Sequence, residues 1–379
     1  MDFKLTKEQE IIRQNMREFT RQYVDPIAVE IDENSRFPGE VIAKLGEQGY
    51  MGMPYDNAYG GGGTDYVTYA IAVEELSKSC AATGFTMSVH TGLACGPINY
   101  FGSEEQKQTY LKPMCKGEHL GAFALTEPSA GTDVNAALTV AVRDGGDYVL
   151  NGGKTFTSNG PVAETFVVFA WTDKSAGSKG MSAFIVPKGT PGLIIGEHIM
   201  KMGIRASQTS EVFFKDCRVP AKNLIGEEGQ GLKIAMGSFD NGRIGIAAQA
   251  VGIAQAALDE TISYSKQRIQ FGKPISKNQA IQWWVADMYT EINAARFLYL
   301  NAAWLKDQGL PYSKEAAMAK VYAAETCMRA ASKAVQAHGG YGYCKGIKAE
   351  RLLRDAKITE IYEGTSEAQR MVIAGNLLR

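Results

Sequence analysis

Apolar positions between residues 1 and 118 recur at helical spacing. Ile12, Met16, Phe19 and Tyr23 follow one another at gaps of four, three and four, which places them on one face of a helix. Thr6-x-x-Gln9 sets a hydroxyl and an amide where each caps the other's backbone, predicting a helix start just after Thr6. Phe37-Pro38 ends that region, and a glycine run (Gly60 to Gly63) precedes a helix expected from about Thr64 to Ser79. Ala81–Tyr100 is small-residue helical material. Gly102 breaks it, and Ser103-x-x-Gln106 opens another capped helix.

The period shortens near Gly121. Thr139-Val-Ala-Val, Tyr148-Val-Leu, Phe166 to Trp171, Ala183-Phe-Ile-Val and Glu211-Val-Phe-Phe are short β-branched and aromatic runs. Asp144-Gly-Gly-Asp and Asn151-Gly-Gly are expected to supply hairpin turns between them. Strands clustered without intervening helices argue for an antiparallel barrel or sandwich, not a doubly wound parallel sheet. From Gly229 the helical period returns: Val251, Ala254, Leu258 and Ile262 form a buried stripe that Phe271-Gly-Lys-Pro274 interrupts. Helices are expected over Ala280–Asp307, Ser313–His338 and Lys348–Tyr362. The pattern predicts an α+β multidomain chain: an N-terminal helical domain (1–118), a middle antiparallel β-barrel or sandwich domain (119–228) and a C-terminal helical bundle (229–379).

Composition narrows the function classes. A chain of 379 residues, 45% hydrophobic, has ample material for large cores. With 40 basic and 41 acidic residues the net charge is −1, so no global field steers the protein to nucleic acid or an anionic membrane. The start lacks a basic segment followed by an apolar run, which points to the cytoplasm. Ile244–Leu258, the best apolar stretch, is shorter than the ~20 residues of a membrane span and is interrupted by Gln249 and Gln255. Six cysteines without C-x-x-C spacing read as reduced, mostly buried thiols. The four histidines (90, 119, 198 and 338) are too dispersed to suggest a metal site. Gly60 to Gly63 lacks the following G-K-[ST] of a phosphate loop. His338-Gly-Gly-Tyr-Gly follows a helix, not the strand that a dinucleotide fingerprint requires.

Chemistry concentrates in three stretches. In Arg354–Glu367 a helix from about Arg351 is expected to stop near Tyr362 and deliver Glu363 into a turn at Gly364. A carboxylate held there suits a general base, although on local pattern alone an exposed glutamate at a helix end is the better fit. Phe123–Asp133 and Lys154–Gly160 place hydroxyls and aromatics on constrained loops, which ordinary turn chemistry also produces.

Six motifs occurring in order make the whole chain resemble the acyl-CoA dehydrogenase family: Leu125-Thr-Glu-Pro-Ser-Ala-Gly-Thr-Asp133, Lys154-Thr-Phe-Thr-Ser-Asn-Gly160, Phe239-Asp-Asn-Gly-Arg243, Arg268-Ile-Gln-Phe-Gly272, Gln336-Ala-His-Gly-Gly340 and Ile361-Tyr-Glu-Gly-Thr365. The resemblance implies FAD between the β domain and the C-terminal helices, with an acyl thioester stacked on the flavin. Phe123, Ala124, Leu125 and Thr126 would then contact the flavin ring. Thr132 would sit where pantetheine meets flavin, and Phe156, Thr157 and Ser158 would wall its other face. The family usually places Trp where Phe156 stands, so the indole donor is absent here. Arg268, Phe271, Gln336, Gly339 and Gly340 would reach the FAD of a neighbouring subunit, and Gln279, Thr365 and Glu367 are further implied FAD contacts. Asp240, Arg243 and Gly364 would contact the acyl-CoA, although Asp240 and Arg243 also read as an internal salt bridge.

The reaction so implied takes the substrate α-proton to Glu363 and the β-hydride to flavin N5, with the thioester oxygen held by the Glu363 N–H and a ribityl hydroxyl. A solvated glutamate, with a pKa near ~4.3, is too weak for a carbon acid, so desolvation should raise it. Some branched- and long-chain relatives carry the base at the position of Gly242, which here offers no carboxylate. No Lys or Arg lies between Lys78 and Lys107, which argues for an uncharged acyl chain. The expected substrate is short and straight, butyryl-CoA first, with Met87, Leu93, Ile246 and Val251 as candidates to close the pocket or as plain core. Electron-transferring flavoprotein is the implied partner and a homotetramer the implied assembly. Three rivals remain at this stage. An acyl-CoA oxidase usually carries a further helical domain, whereas this chain stops at Arg379, sixteen residues past Glu363. A flavin-free helical scaffold is the second, and a nicotinamide-dependent dehydrogenase, lacking its fingerprint, the third.

Overall fold

Four α-helix starts follow directly from side chains that satisfy free N–H groups. In the computed structural model, which describes residues 4–378, Thr6 Oγ1 accepts from Gln9 N while the Gln9 amide accepts from Thr6 N. The predicted capping box therefore opens α1 (Lys7–Phe19). Then come α2 (Ala28–Glu33), α3 (Gly39–Glu47) and α4 (Tyr66–Ser79), the last capped by Asp65. α5 (Ala81–Ser88) widens into π-type turns over Val89–Cys95 before α6 (Gly96–Phe101). A second capping box, Ser103 with Gln106, starts α7 (Glu104–Gln106), and α8 (Lys112–Cys115) closes the N-terminal helices.

The middle strands are β1 (Gly121–Ala124), β2 (Val140–Asp144), β3 (Asp147–Ser158), β4 (Thr165–Trp171), β5 (Met181–Pro187), β6 (Leu193–Ile195), β7 (Thr209–Pro220) and β8 (Leu224–Ile225). They form one sheet in the order β6-β7-β3-β2-β4-β5-β8. Pairing is antiparallel except at β1–β4 and a single β2–β4 bridge, which are parallel. β4 is buried on both faces. Val167, Phe169 and Trp171 join the core shared with the helices, while Phe166, Val168 and Ala170 meet Tyr148, Leu150, Val212 and Phe214 in a second core around which the sheet curls.

Asp144-Gly-Gly-Asp147 is the predicted hairpin turn, joining β2 to β3. Asn151-Gly-Gly153 is not a turn. It runs inside β3, where the register against β7 shifts between Leu150 and Gly152. A Cβ on Gly152 would lie 2.5 Å from Thr139 Oγ1, and one on Gly153 2.9 Å from Phe213 Cδ1. These glycines serve close approach at a bulge, not chain reversal.

The C-terminal helices are α9 (Gly231–Gln267), α10 (Gln279–Asp307), α11 (Ser313–His338), α12 (Lys348–Ile358) and α13 (Ser366–Leu377), with a small hairpin, β9 (Ile269–Gln270) and β10 (Lys273–Pro274), after α9. α9 is the central pillar. It is apolar nearly all round because α4, α10 and α11 pack on different sides of it. Glycines let α4 lie against it: a Cβ on Gly252 would stand 2.3 Å from the Glu74 carbonyl oxygen. α12 ends at Ile358, short of the expected Tyr362, so an irregular turn carries Glu363. Five of the cysteines are buried free thiols and Cys344 is exposed. Among the described residues no helix is long and apolar enough to cross a membrane.

Candidate active site

Glu363 adopts φ +50° and Gly364 φ +92°, two successive left-handed residues that reverse the chain between α12 and α13. Side chains from elsewhere hold the turn. Gln369 Nε2 donates to the carbonyls of Glu363 (3.2 Å) and Gly364 (2.9 Å), and Lys320 Nζ of α11 donates to the Gly364 carbonyl (2.7 Å). Thr365 caps α13 by accepting from Ala368 N. This conformation aims the Glu363 carboxylate at α9, over Gly242.

The carboxylate has a shaped seat there. A Cβ on Gly242 would stand 1.8 Å from Glu363 Oε2 and 2.9 Å from both Glu363 Cδ and Leu93 Cδ2. Glu363 as a residue is only half-buried, but its two carboxylate oxygens are sealed from solvent and have no hydrogen-bond partner among the described residues. Burial pushes the carboxyl up to about 8, against the pull of the Lys320 and Arg243 cations.

On either side of Gly242 along α9, Arg243 Nη1 donates to Asp240 Oδ1 (2.6 Å), and Ser313 Oγ donates to the same oxygen (2.9 Å). The internal salt bridge is therefore present. Arg243 Nε is buried without a partner, and burial also raises the Asp240 carboxyl, with Arg243 opposing. Beside Asp240, the Phe239 ring lies 5.9 Å from that of Phe123 on β1, which brings the β-domain edge to the Glu363 end of α9.

That edge is rigidly built. The buried Lys154 Nζ donates to the Leu125 carbonyl (3.1 Å) and pairs with Glu127 (2.7 Å). Glu127 in turn accepts from Leu138 N and Thr139 N, and Thr155 N donates to the Thr126 carbonyl. Burial lowers Lys154 to about 8 despite Glu127. A second register shift, between Lys154 and Thr157, puts Phe156 at φ +53° with its ring 63% exposed. Thr157 Oγ1 is buried with no partner, Ser158 continues the strand against Thr209, and Thr132 lies exposed on the loop before β2. Ala124 and Leu125 are buried, and Thr126 is half-buried.

The remaining predicted positions gather elsewhere. Arg268, Gly339 and Gly340 line a cleft of about 460 Å³ with Tyr264, His338 and Tyr341. Phe271, at the tip of the small hairpin, is 99% exposed, and Gln279 and Gln336 are exposed on α10 and α11. From Gly242 to Gln267 α9 advances about 37 Å at ~1.5 Å per residue, so this cleft and Glu363 are far apart within one chain. Glu367 is exposed on the first turn of α13. A smaller cavity of about 150 Å³, lined by Asp32, Arg351 and Arg354 among others, shares none of these residues.

Beyond Glu363 the cleft face of α9 continues through Gly245, where a Cβ would meet Ser88 Oγ at 2.3 Å, to Gln249. The buried Gln249 amide donates to the Ala81 carbonyl (3.0 Å) and accepts from the Tyr362 hydroxyl, while Tyr362 stacks on Phe85 with ring centres 4.5 Å apart. Of the four expected pocket-closing residues, Leu93 is the one against the Gly242 seat; Met87, Ile246 and Val251 are buried core. Lys320, Gln249 and Phe85 lie outside every motif, and the motifs that contain Lys154 and Tyr362 do not show the contacts these two make.

A sealed, unpaired carboxylate thus faces α9 with a rigid strand edge beside it, inside a helix–sheet–helix chain. The chain belongs to the acyl-CoA dehydrogenase family, matching its N-terminal domain over residues 6–118, its middle domain over 122–217 and its C-terminal domain over 229–378. It is 55% identical over 379 residues, the whole of both chains, to the short-chain specific acyl-CoA dehydrogenase of Clostridium acetobutylicum. The butyryl-CoA dehydrogenase of Megasphaera elsdenii superposes with a TM-score of 0.98 at 47% identity, covering 100% of both chains. A chain in a structure of the electron transferring flavoprotein of Acidaminococcus fermentans superposes at 0.99 with 51% identity, again over 100% of both.

Proposed function

We propose that this protein is an FAD-dependent dehydrogenase that converts a short straight-chain acyl-CoA, butyryl-CoA foremost, to its α,β-unsaturated product. Glu363 takes the α-proton, and the electrons pass to an electron-transferring flavoprotein. The observation that carries this reading is the Glu363 carboxylate, sealed and unpaired in the seat left by Gly242.

The residues present suit the flavin. Thr157 Oγ1 is an orphaned hydroxyl at the strand edge, and Phe156 offers a bare ring beside it. A Cβ on Gly339 or Gly340 would meet nothing within 4 Å, so backbone there can approach a phosphate. Phe123 to Thr126 and Phe156 to Ser158 would hold FAD, which would supply the hydride acceptor. Glu363, sealed and unpaired, is at about 8 a stronger base than a solvated carboxylate, which favours its taking the α-proton. The Glu363 N–H, within the left-handed turn, would hold the thioester oxygen with Gly364 beside it. Asp240, Arg243 and Thr132 would contact the CoA arm, and Thr365 and Glu367 the cofactor.

Chain length follows from the same face of α9. Past Gly242 and Gly245, the hydrogen-bonded Gln249–Tyr362 pair and the Phe85 ring would close the far end of the acyl site. Extra methylenes would have to break a buried polar contact. Assembly follows from the long separation: Arg268, Phe271, Gln279, Gln336 and the glycine pair would complete the flavin site of a second copy. Exposed Trp283, Tyr289 and Trp304 on α10 give that copy an apolar surface, consistent with a homotetramer. The purified protein should be yellow, and butyryl-CoA should bleach it without oxygen. A yellow protein that no straight-chain acyl-CoA bleaches contradicts the reading.

A further inference from the structure

Lys320 lies in the N-terminal third of α11 with no solvent exposure, and its ammonium donates to the Gly364 carbonyl at 2.7 Å, one residue past Glu363. Glu363 itself sits at φ +50°, where a non-glycine residue persists only if its surroundings over-determine it. Gln369 supplies neutral hydrogen bonds to this turn; Lys320 supplies the charged one, the stronger kind. We propose that Lys320 is a positioning residue for the base: its buried ammonium clamps the Gly364 carbonyl, holding Glu363 in its left-handed turn over Gly242, and stabilises the carboxylate form. The proposal rests on Glu363 being the base.

The charges around the pair agree with this role. Lys320 faces Glu363 and Glu360 from the turn, Glu367 from α13 and, repulsively, Arg243 from α9. Glu363 faces Lys320 and Arg243, and its charge also acts on Tyr66 and Tyr69 of α4 and on neighbouring Tyr362. Burial lowers Lys320 to about 8 while Glu363 draws it upward, so ammonium and carboxylate support one another. A lysine needed only to fill space or donate one hydrogen bond would not depend on its charge.

The test uses the holoenzyme and three variants, Lys320→Met, Lys320→Gln and Lys320→Arg, each checked for fold by circular dichroism. The Glu363 carboxyl is titrated by infrared difference spectroscopy, its band assigned by its loss in Glu363→Gln. Lys320→Met and Lys320→Gln should move that titration up by about one pH unit or more, and Lys320→Arg should return it close to wild type. The acid limb of single-turnover flavin reduction by butyryl-CoA should move with it. If Lys320→Met fails to fold, Lys320→Gln carries the same reading. An unmoved Glu363 titration in either folded neutral variant overturns the proposal, as does failure of Lys320→Arg to restore it. The infrared titration needs no substrate, so a wild-type protein that acyl-CoA does not reduce would remove the reaction and still leave the Lys320 contact decided.

Discussion

Gly242 and Glu363 exclude one another: a methyl group on the glycine would stand 1.8 Å from Glu363 Oε2. The carboxylate therefore occupies the volume that a side chain at 242 would claim. Alanine favours a helix over glycine by about 1 kcal/mol, so Gly242→Ala should fold at least as well. It should nonetheless displace the carboxylate and slow flavin reduction by about 100-fold or more, the cost expected of a misplacement near 1 Å. Stopped-flow reduction alongside a thermal melt checks this. A wild-type rate would show that Glu363 has room the geometry denies it.

Gln249 should set chain length. Gln249→Ala opens the far end of the acyl site and releases the Tyr362 hydroxyl, so the ratio of kcat/KM for octanoyl-CoA over butyryl-CoA should rise by about tenfold or more. An unchanged ratio places the pocket floor elsewhere.

How far the sequence was legible depends on how local each cause is. The Thr6–Gln9 and Ser103–Gln106 caps could be read in advance because three residues contain the whole interaction. Asn151-Gly-Gly was misread as a turn because its glycines answer to Thr139 and Phe213, contacts that sequence spacing cannot show. The last helix was drawn through to Tyr362 because its apolar period continues past Ile358, where the chain instead unwinds to aim Glu363. Glu363 stood out by motif, but its seat on Gly242 did not. Lys154 opens a motif that does not reveal its burial, Lys320 looks in the sequence like an ordinary surface lysine, and Gln249 looks like a blemish in an apolar helix. All three are fully buried, and the partners of Lys320 and Gln249 lie 44 or more residues away.

The raised carboxyl gives a pH dependence of fixed sign. The proton-accepting form of Glu363 is ionised, and burial lifts its pKa to about 8. For the free enzyme, kcat/KM should climb as pH rises through neutrality and stop climbing near 8. The folded state also holds this proton more tightly than the unfolded chain, so Glu363 subtracts stability progressively as pH rises from the ordinary carboxylate range towards 8. The melting temperature of Glu363→Gln relative to wild type should accordingly improve with pH across that window. A rate that levels off near pH 5 contradicts the sealed carboxylate.

Arg268 tests the shared flavin site. It stands over the Tyr341 ring in the cleft far from Glu363. Arg268→Ala should lose FAD on dilution together with oligomer integrity, read by absorbance and sedimentation. A stable monomer that keeps its flavin as tightly as wild type contradicts a site built from two copies.

The central claim is that Glu363 is the base, and the direct measurement is anaerobic flavin bleaching by butyryl-CoA in Glu363→Gln. The amide is nearly isosteric and can occupy the Gly242 seat, but it cannot accept the α-proton. The variant should stay folded, yellow and able to bind acyl-CoA while bleaching several orders of magnitude more slowly than wild type. Bleaching at a near-normal rate would place the base elsewhere and contradict the account.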